Sequence, residues 1–115
     1  VKLGDGHPHP RWYGSFPRVL GEYVRERSVL TLQEAIHKMT LLPANVMGLE
    51  DRGHIVEGKK ADLTIFDPKT VIDKATFETP HQYSEGILYV LINGKLAVEE
   101  GVFYPIKSGE VLLKK

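Results

Sequence analysis

One stretch limits the possible folds more than any other. Ile87 to Ile92 is an unbroken apolar run, Asn93-Gly94 interrupts it, and Lys95 to Val98 resumes an extended pattern. A two-residue hairpin loop needs positive φ at its centre, and Asn-Gly meets that need best. An antiparallel hairpin is therefore expected at residues 87–98, which excludes an all-helical fold. Further strands are expected at His54-Ile55-Val56 and at Ala61 to Phe66, separated by Glu57-Gly58-Lys59-Lys60. Asp67-Pro68 ends the second of these. Residues 69–86 read as a polar connection with Pro80 and Gly86. Gly101 and Gly109 punctuate a weak final strand that ends in Val111-Leu112-Leu113.

The period differs before Gly48. Residues 1–14 are rich in Gly, Pro, His and aromatics, show no period, and read as loop. From Ser15, a plausible N-cap, Phe16, Val19, Leu20, Tyr23 and Val24 fall at helical spacing. Pro17 is then tolerated in a first turn, and Arg25 and Arg27 suit the C-terminal end of the helix dipole. Thr31-Leu32-Gln33-Glu34 is a capping box, and Leu32, Ala35, Ile36 and Met39 follow it at i, i+3, i+4 and i+7. Pro43 breaks that helix and starts a short one ending near Gly48. The order is loop, two or three helices, then four or five strands: an α+β chain without internal repeats.

Composition narrows the function classes. The 115 residues are enough for one small domain or for a piece of a larger one. Fifteen basic and fifteen acidic residues balance, so no cationic excess marks a nucleic-acid partner. Cysteine is absent, which fits a reducing, cytoplasmic compartment. No run of ~18 apolar residues suggests a membrane span. The first residue is Val1, as expected of a processed or truncated product.

The chemistry-bearing residues cluster in Gly4-Asp5-Gly6-His7-Pro8-His9-Pro10-Arg11. In a strand, i and i+2 side chains share a face, so His7 and His9 could offer two imidazoles to one zinc. Gly and Pro surround them, however, and His37, His54 and His81 do not complete a ligand set at any recognisable spacing. The reading is a Pro-stiffened loop with no metal site. Asp62 and Asp67 bracket a strand as turn and cap residues rather than as an acid/base pair.

Three pieces carry a resemblance. They are His9-Pro10-Arg11-x-Tyr13-Gly14-x-Phe16-Pro17-Arg18; Leu32-x-Glu34-Ala35-Ile36-x-Lys38-Met39 with Pro43-Ala44 and Gly48-Leu49; and Gly58-x-x-Ala61-Asp62-Leu63-x-Ile65-Phe66-Asp67-Pro68. Between the third and the hairpin lies Phe77-Glu78-x-Pro80-His81-Gln82-Tyr83. In this order they resemble the C-terminal part of the D-aminoacylases, the N-acyl-D-amino-acid deacylases of the amidohydrolase superfamily. The helical piece and the Gly-x-x-Ala-Asp-Leu piece are shared with dihydroorotase-like and imidazolonepropionase-like enzymes. The first piece and the Phe77–Tyr83 stretch are narrower.

The resemblance implies a zinc-dependent (β/α)8 barrel with a small β-sandwich built from both chain ends. Residues 1–50 would be the end of the barrel: the substrate loop and terminal helices. Residues 51–115 would be the C-terminal share of the sandwich, with 69–86 as the connecting segment. The zinc ligands and the proton-shuttling aspartate would lie upstream of Val1, leaving this chain inactive alone. Gly4-Asp5-Gly6 imitates the turn of that aspartate, but Asp5 stands only six positions before Arg11, closer than the family pattern, and reads as a loop carboxylate. Arg11 is the expected substrate-binding residue, since a guanidinium forks onto the free carboxylate of an N-acyl amino acid. His9 and Tyr13 are expected to orient the loop or line the pocket, and Arg18 to pair near the start of its helix. His81-Gln82-Tyr83 belongs to the pattern without an evident chemical role. Two alternatives remain: a non-catalytic module whose apolar stripes favour a homo-oligomer, and a piece of a dihydroorotase-like enzyme acting on a cyclic amide.

Overall fold

The structure, a computed structural model, describes residues 4–113. They divide into two compact units. The first joins the chain up to Leu32 to Asp67–Gly86, and the second joins Gln33–Phe66 to the chain from Ile87 onward.

In the first unit, helix α1 spans Arg11–Arg18 and runs directly into a π-helical segment, Val19–Glu26. The helix thus begins four residues before the expected Ser15. Pro10 occupies the N-cap with φ −51°, where its missing N–H costs nothing. Ser15 is not the cap. Its hydroxyl donates to the Arg11 carbonyl inside the helix, at 2.9 Å. Pro17 lies within the helix and has no N–H to offer the Tyr13 carbonyl; the Ser84 hydroxyl donates to that carbonyl instead, at 3.4 Å. Beyond Pro17 the ladder widens, and the Arg27 amide closes onto the Glu22 carbonyl five residues back at 2.8 Å. The apolar stripe is not buried as a stripe. Leu20 is buried, whereas Phe16 and Tyr23 are exposed. Val71 and Ala75, from the 67–86 segment, are buried in this unit as well. The Arg25 guanidinium donates to the Val71 carbonyl at 2.6 Å.

In the second unit, α2 spans Leu32–Met39 and α3 spans Leu41–Met47, with Ala35 and Ala44 buried. Gly48 ends α3 with φ 70°, at the expected C-cap. Four antiparallel strands follow in the order β1-β2-β3-β4: Leu63–Phe66, Ile87–Ile92, Lys95–Glu99 and Val102–Phe103. The hairpin is as expected. Ile92 pairs with Lys95, and Asn93 and Gly94 take φ 49° and 75°. Gly94→Ala is expected to destabilise this unit by about 1 kcal/mol, since an alanine resists that left-handed backbone. A urea midpoint measured on the full-length protein checks it.

One expected strand does not form, and another is shorter than expected. His54-Ile55-Val56 lies between glycines of positive φ at 53 and 58, outside the sheet, with Ile55 88% exposed. Two adjacent apolar residues without a neighbouring strand edge gain nothing from extension. The final strand is only Val102–Phe103; Val111-Leu112-Leu113 is irregular and exposed. Arg52 braces the second unit through Asp62 at 2.5 Å and Glu110 at 3.1 Å. Asp62 also accepts the Asn93 amide at 2.8 Å, and Asp67 accepts the Lys69 amide at 2.8 Å. Asp67 is thus a turn residue, whereas Asp62 ties the start of β1 to Arg52 and to the hairpin loop. Among the described residues, no helix is long and apolar enough to cross a membrane.

Candidate functional site

The site lies in the first unit, where α1 meets the segment after Val71. A cleft of about 410 Å³ opens there, lined in part by His9, Arg11, Arg18, Asp73, Phe77 and Glu78. Three of these residues come from the helix and its entry, and three from a segment more than fifty residues on.

Local structure aims each group. The Arg11 amide, one of the unpaired donors at the start of α1, donates to Nδ1 of His9 at 3.1 Å. That bond leaves the proton of a neutral His9 ring on Nε2. The ring stands edge-on to Phe77, centroids 5.0 Å apart. His7 is drawn elsewhere: its Nε2 donates to the Phe77 carbonyl at 2.6 Å. The two imidazoles therefore serve separate partners. Among the described residues, no three His, Asp or Glu side chains converge as a metal would require.

The cations of the cleft differ in kind. Arg18 is committed. Its guanidinium bonds Asp73 at 2.9–3.0 Å and Glu22 at 3.0 Å. The hydrogen bond to Asp73 raises its pKa above the ordinary value. Asp73 is only 4% exposed, and its other oxygen accepts the Ala75 amide at 2.9 Å, so the acid is fully used. Arg11 is exposed, and its guanidinium has no hydrogen-bond or ion-pair partner among the described residues. A guanidinium with no partner among the described residues, beside an ion pair already made, has the geometry to fork onto a carboxylate.

The other sequence candidates stand apart from the cleft wall. Asp5 is exposed in the turn Gly4–Gly6 and does not line the cleft. Tyr13 is half-buried, faces away, and donates its hydroxyl to Nδ1 of His81 at 2.8 Å. Asp73, Phe77 and Glu78 were missed as cleft residues. The Phe77–Tyr83 motif was their only signal in the sequence, and Asp73 lies outside it.

Comparison with known proteins shows the family. The Amidohydrolase family model matches residues 3–98. An N-acyl-D-glutamate deacylase from Alcaligenes xylosoxydans xylosoxydans is 57% identical over 90 residues, 78% of this chain and 18% of that protein. A D-aminoacylase structure described by its binuclear metal centre superposes with a TM-score of 0.87 at 46% identity, over 90% of this chain and 22% of that one. The N-acyl-D-glutamate deacylase of Bordetella bronchiseptica was solved with zinc and a phosphonate mimic of the tetrahedral intermediate. It superposes with a TM-score of 0.78 at 50% identity, over 79% of this chain and 19% of that one. Dihydroorotases match more distantly. The chain spans about a fifth of the length of the curated relatives it matches. With a family match over residues 3–98 and a relative 57% identical over 78% of its length, this chain belongs to the amidohydrolase family.

Proposed function

We propose that this chain is the closing part of a zinc-dependent amidohydrolase that cleaves the amide of N-acyl-D-amino acids, releasing a carboxylate and the free D-amino acid. Residues 1–50 carry the substrate loop and the last helices of the barrel. Residues 51–115 are the C-terminal share of the small β-sandwich, and 69–86 is a connection that returns to the barrel end. The association of Asp67–Gly86 with the residues up to Leu32 supports that return. The zinc of such an enzyme is held by groups outside the described residues, where no ligand cluster forms.

One observation carries the reading: the Arg11 guanidinium, without a partner among the described residues, on the wall of a 410 Å³ cleft, in a chain 57% identical to a deacylase over 90 residues. Every N-acyl amino acid presents one free α-carboxylate, and a planar fork of N–H donors holds it in register. His9 caps the helix start from which Arg11 projects. Tyr13 fixes the far side of the same turn through His81.

The full-length protein, loaded with zinc, is expected to release D-amino acids from N-acetyl-D-glutamate, N-acetyl-D-aspartate or N-acetyl-D-leucine and to leave the L-enantiomers intact. Hydrolysis of dihydroorotate in place of all three would move the substrate to the cyclic amides. Trp12 and Phe16 are 63% and 62% exposed. In the deacylase the rest of the barrel covers them. In a non-catalytic module a second copy of the chain would, and light scattering on the purified 115 residues separates the two.

A further inference from the structure

We propose that His81 is a positioning residue that sets Arg11 for substrate by clamping both ends of the strip from Gly6 to Tyr13, the loop and first turn of α1 that carry it. The proposal rests on the deacylase reading of Arg11, but its geometry stands independently. Nε2 of His81 lies 2.9 Å from the Gly6 carbonyl. A carbonyl only accepts, so Nε2 carries the proton. Nδ1 of the neutral ring is then an acceptor, and it takes the Tyr13 hydroxyl at 2.8 Å, with the Gly4 amide approaching the same nitrogen at 3.4 Å. One ring therefore ties Gly6 at one end of the loop to Tyr13 at the other. His7 adds a third tether to the same strip, through the Phe77 carbonyl at 2.6 Å. Arg11 sits between these ties.

The clamp is itself braced. Pro80 is buried, the Gln82 amide bonds the Pro80 carbonyl at 2.9 Å, and the Gln82 side chain donates to the Thr79 carbonyl at 2.8 Å. The Tyr83 ring meets Tyr13 edge-on, centroids 5.8 Å apart. His81-Gln82-Tyr83 thus has a role: the histidine holds the loop, the glutamine holds the histidine's own turn, and the tyrosine packs on the clamped side chain. Cleft shape alone does not require this. His81 touches neither Arg11 nor the cleft, so its effect on substrate must pass through the loop backbone.

The test uses the full-length zinc enzyme. His81→Ala is expected to raise KM for an N-acetyl-D-amino acid about tenfold by breaking the tie between Gly6 and Tyr13, with kcat within about threefold of wild type. Tyr13→Phe removes only the hydroxyl and is expected to do nearly as much. The double variant is expected to be no worse than His81→Ala alone, because both break one tie. His81→Gln, whose N–H can reach Gly6 but whose amide oxygen does not fall at the Nδ1 position that holds Tyr13, is expected to match Tyr13→Phe and is the fallback if the alanine variant does not fold. ¹⁵N NMR of histidine-labelled wild type is expected to show the Nε2–H tautomer at His81, assigned by its loss in His81→Gln. A KM within twofold of wild type for these variants, additive effects, or the Nδ1–H tautomer each overturns the clamp. Failure of the wild-type enzyme to hydrolyse any N-acyl-D-amino acid sinks the deacylase reading alone, and the tautomer measurement still decides the clamp.

Discussion

Arg11→Ala in the full-length enzyme is expected to lower kcat/KM for an N-acyl-D-amino acid by roughly two-hundredfold, or about 3 kcal/mol, the usual loss when one partner of a desolvated charge pair is removed. Arg18, on the same cleft, cannot substitute, because Asp73 and Glu22 already hold its guanidinium. Arg11→Lys is expected to recover only part of the loss, about tenfold below wild type, since an ammonium gives charge without the planar fork. An N-acyl amine that lacks the carboxylate separates the roles. If Arg11 binds the carboxylate, its removal leaves turnover of that compound unchanged. Equal losses on both compounds would mean that the variant disturbs the cleft generally and that Arg11 is not the carboxylate receptor.

Gly14→Ala is the second large effect, and its sign is the informative part. By helix propensity alone, alanine in the middle of α1 should stabilise by about 1 kcal/mol. The fold reverses that. A β-carbon on Gly14 would overlap the Asp73 carboxylate. Asp73 would have to leave its nearly buried place, losing the Arg18 guanidinium and the Ala75 amide together. Uncoupling a buried carboxylate of this kind costs about 3 kcal/mol, so a net loss of about 2 kcal/mol is expected. A denaturant titration of the full-length variant reads it directly. A variant as stable as wild type would mean that Asp73 is free to move and that its ion pair with Arg18 contributes little.

Gly14 also explains why the start of α1 was not legible. Pro10 and Gly14 read as loop, because each disfavours a helix interior, and Pro17 reads as the first turn of a helix that starts only at Ser15. Each is tolerated for a separate reason. Pro10 falls at the N-cap, Pro17 frees a carbonyl that Ser84 satisfies, and Gly14 makes room for Asp73. Two of those reasons sit far along the chain, at Ser84, seventy-one residues from Tyr13, and at Asp73, fifty-nine residues from Gly14, beyond the reach of any local pattern. The false strand at His54-Ile55-Val56 errs in the opposite direction, because an extended pattern without a sheet edge to meet has no partner for its amides.

What local chemistry decides was readable in the chain alone. The α2 repeat, the Gly48 stop, the Asn93-Gly94 hairpin and the turn role of Asp67 each follow from residues a few positions apart, whose backbone preferences and hydrogen bonds close within one turn. The motifs around Arg11 and His81 were visible as well, and with them the family. Which arginine is free was not. Arg11 and Arg18 are alike in sequence, and only the fold brings Asp73 to one and leaves the other open. The same holds for His81, whose partners at Gly6 and Tyr13 lie seventy-five and sixty-eight residues away. A guanidinium or an imidazole acquires its role from the charge and hydrogen-bond partners placed around it, and in this chain those partners come from the other end of the first unit.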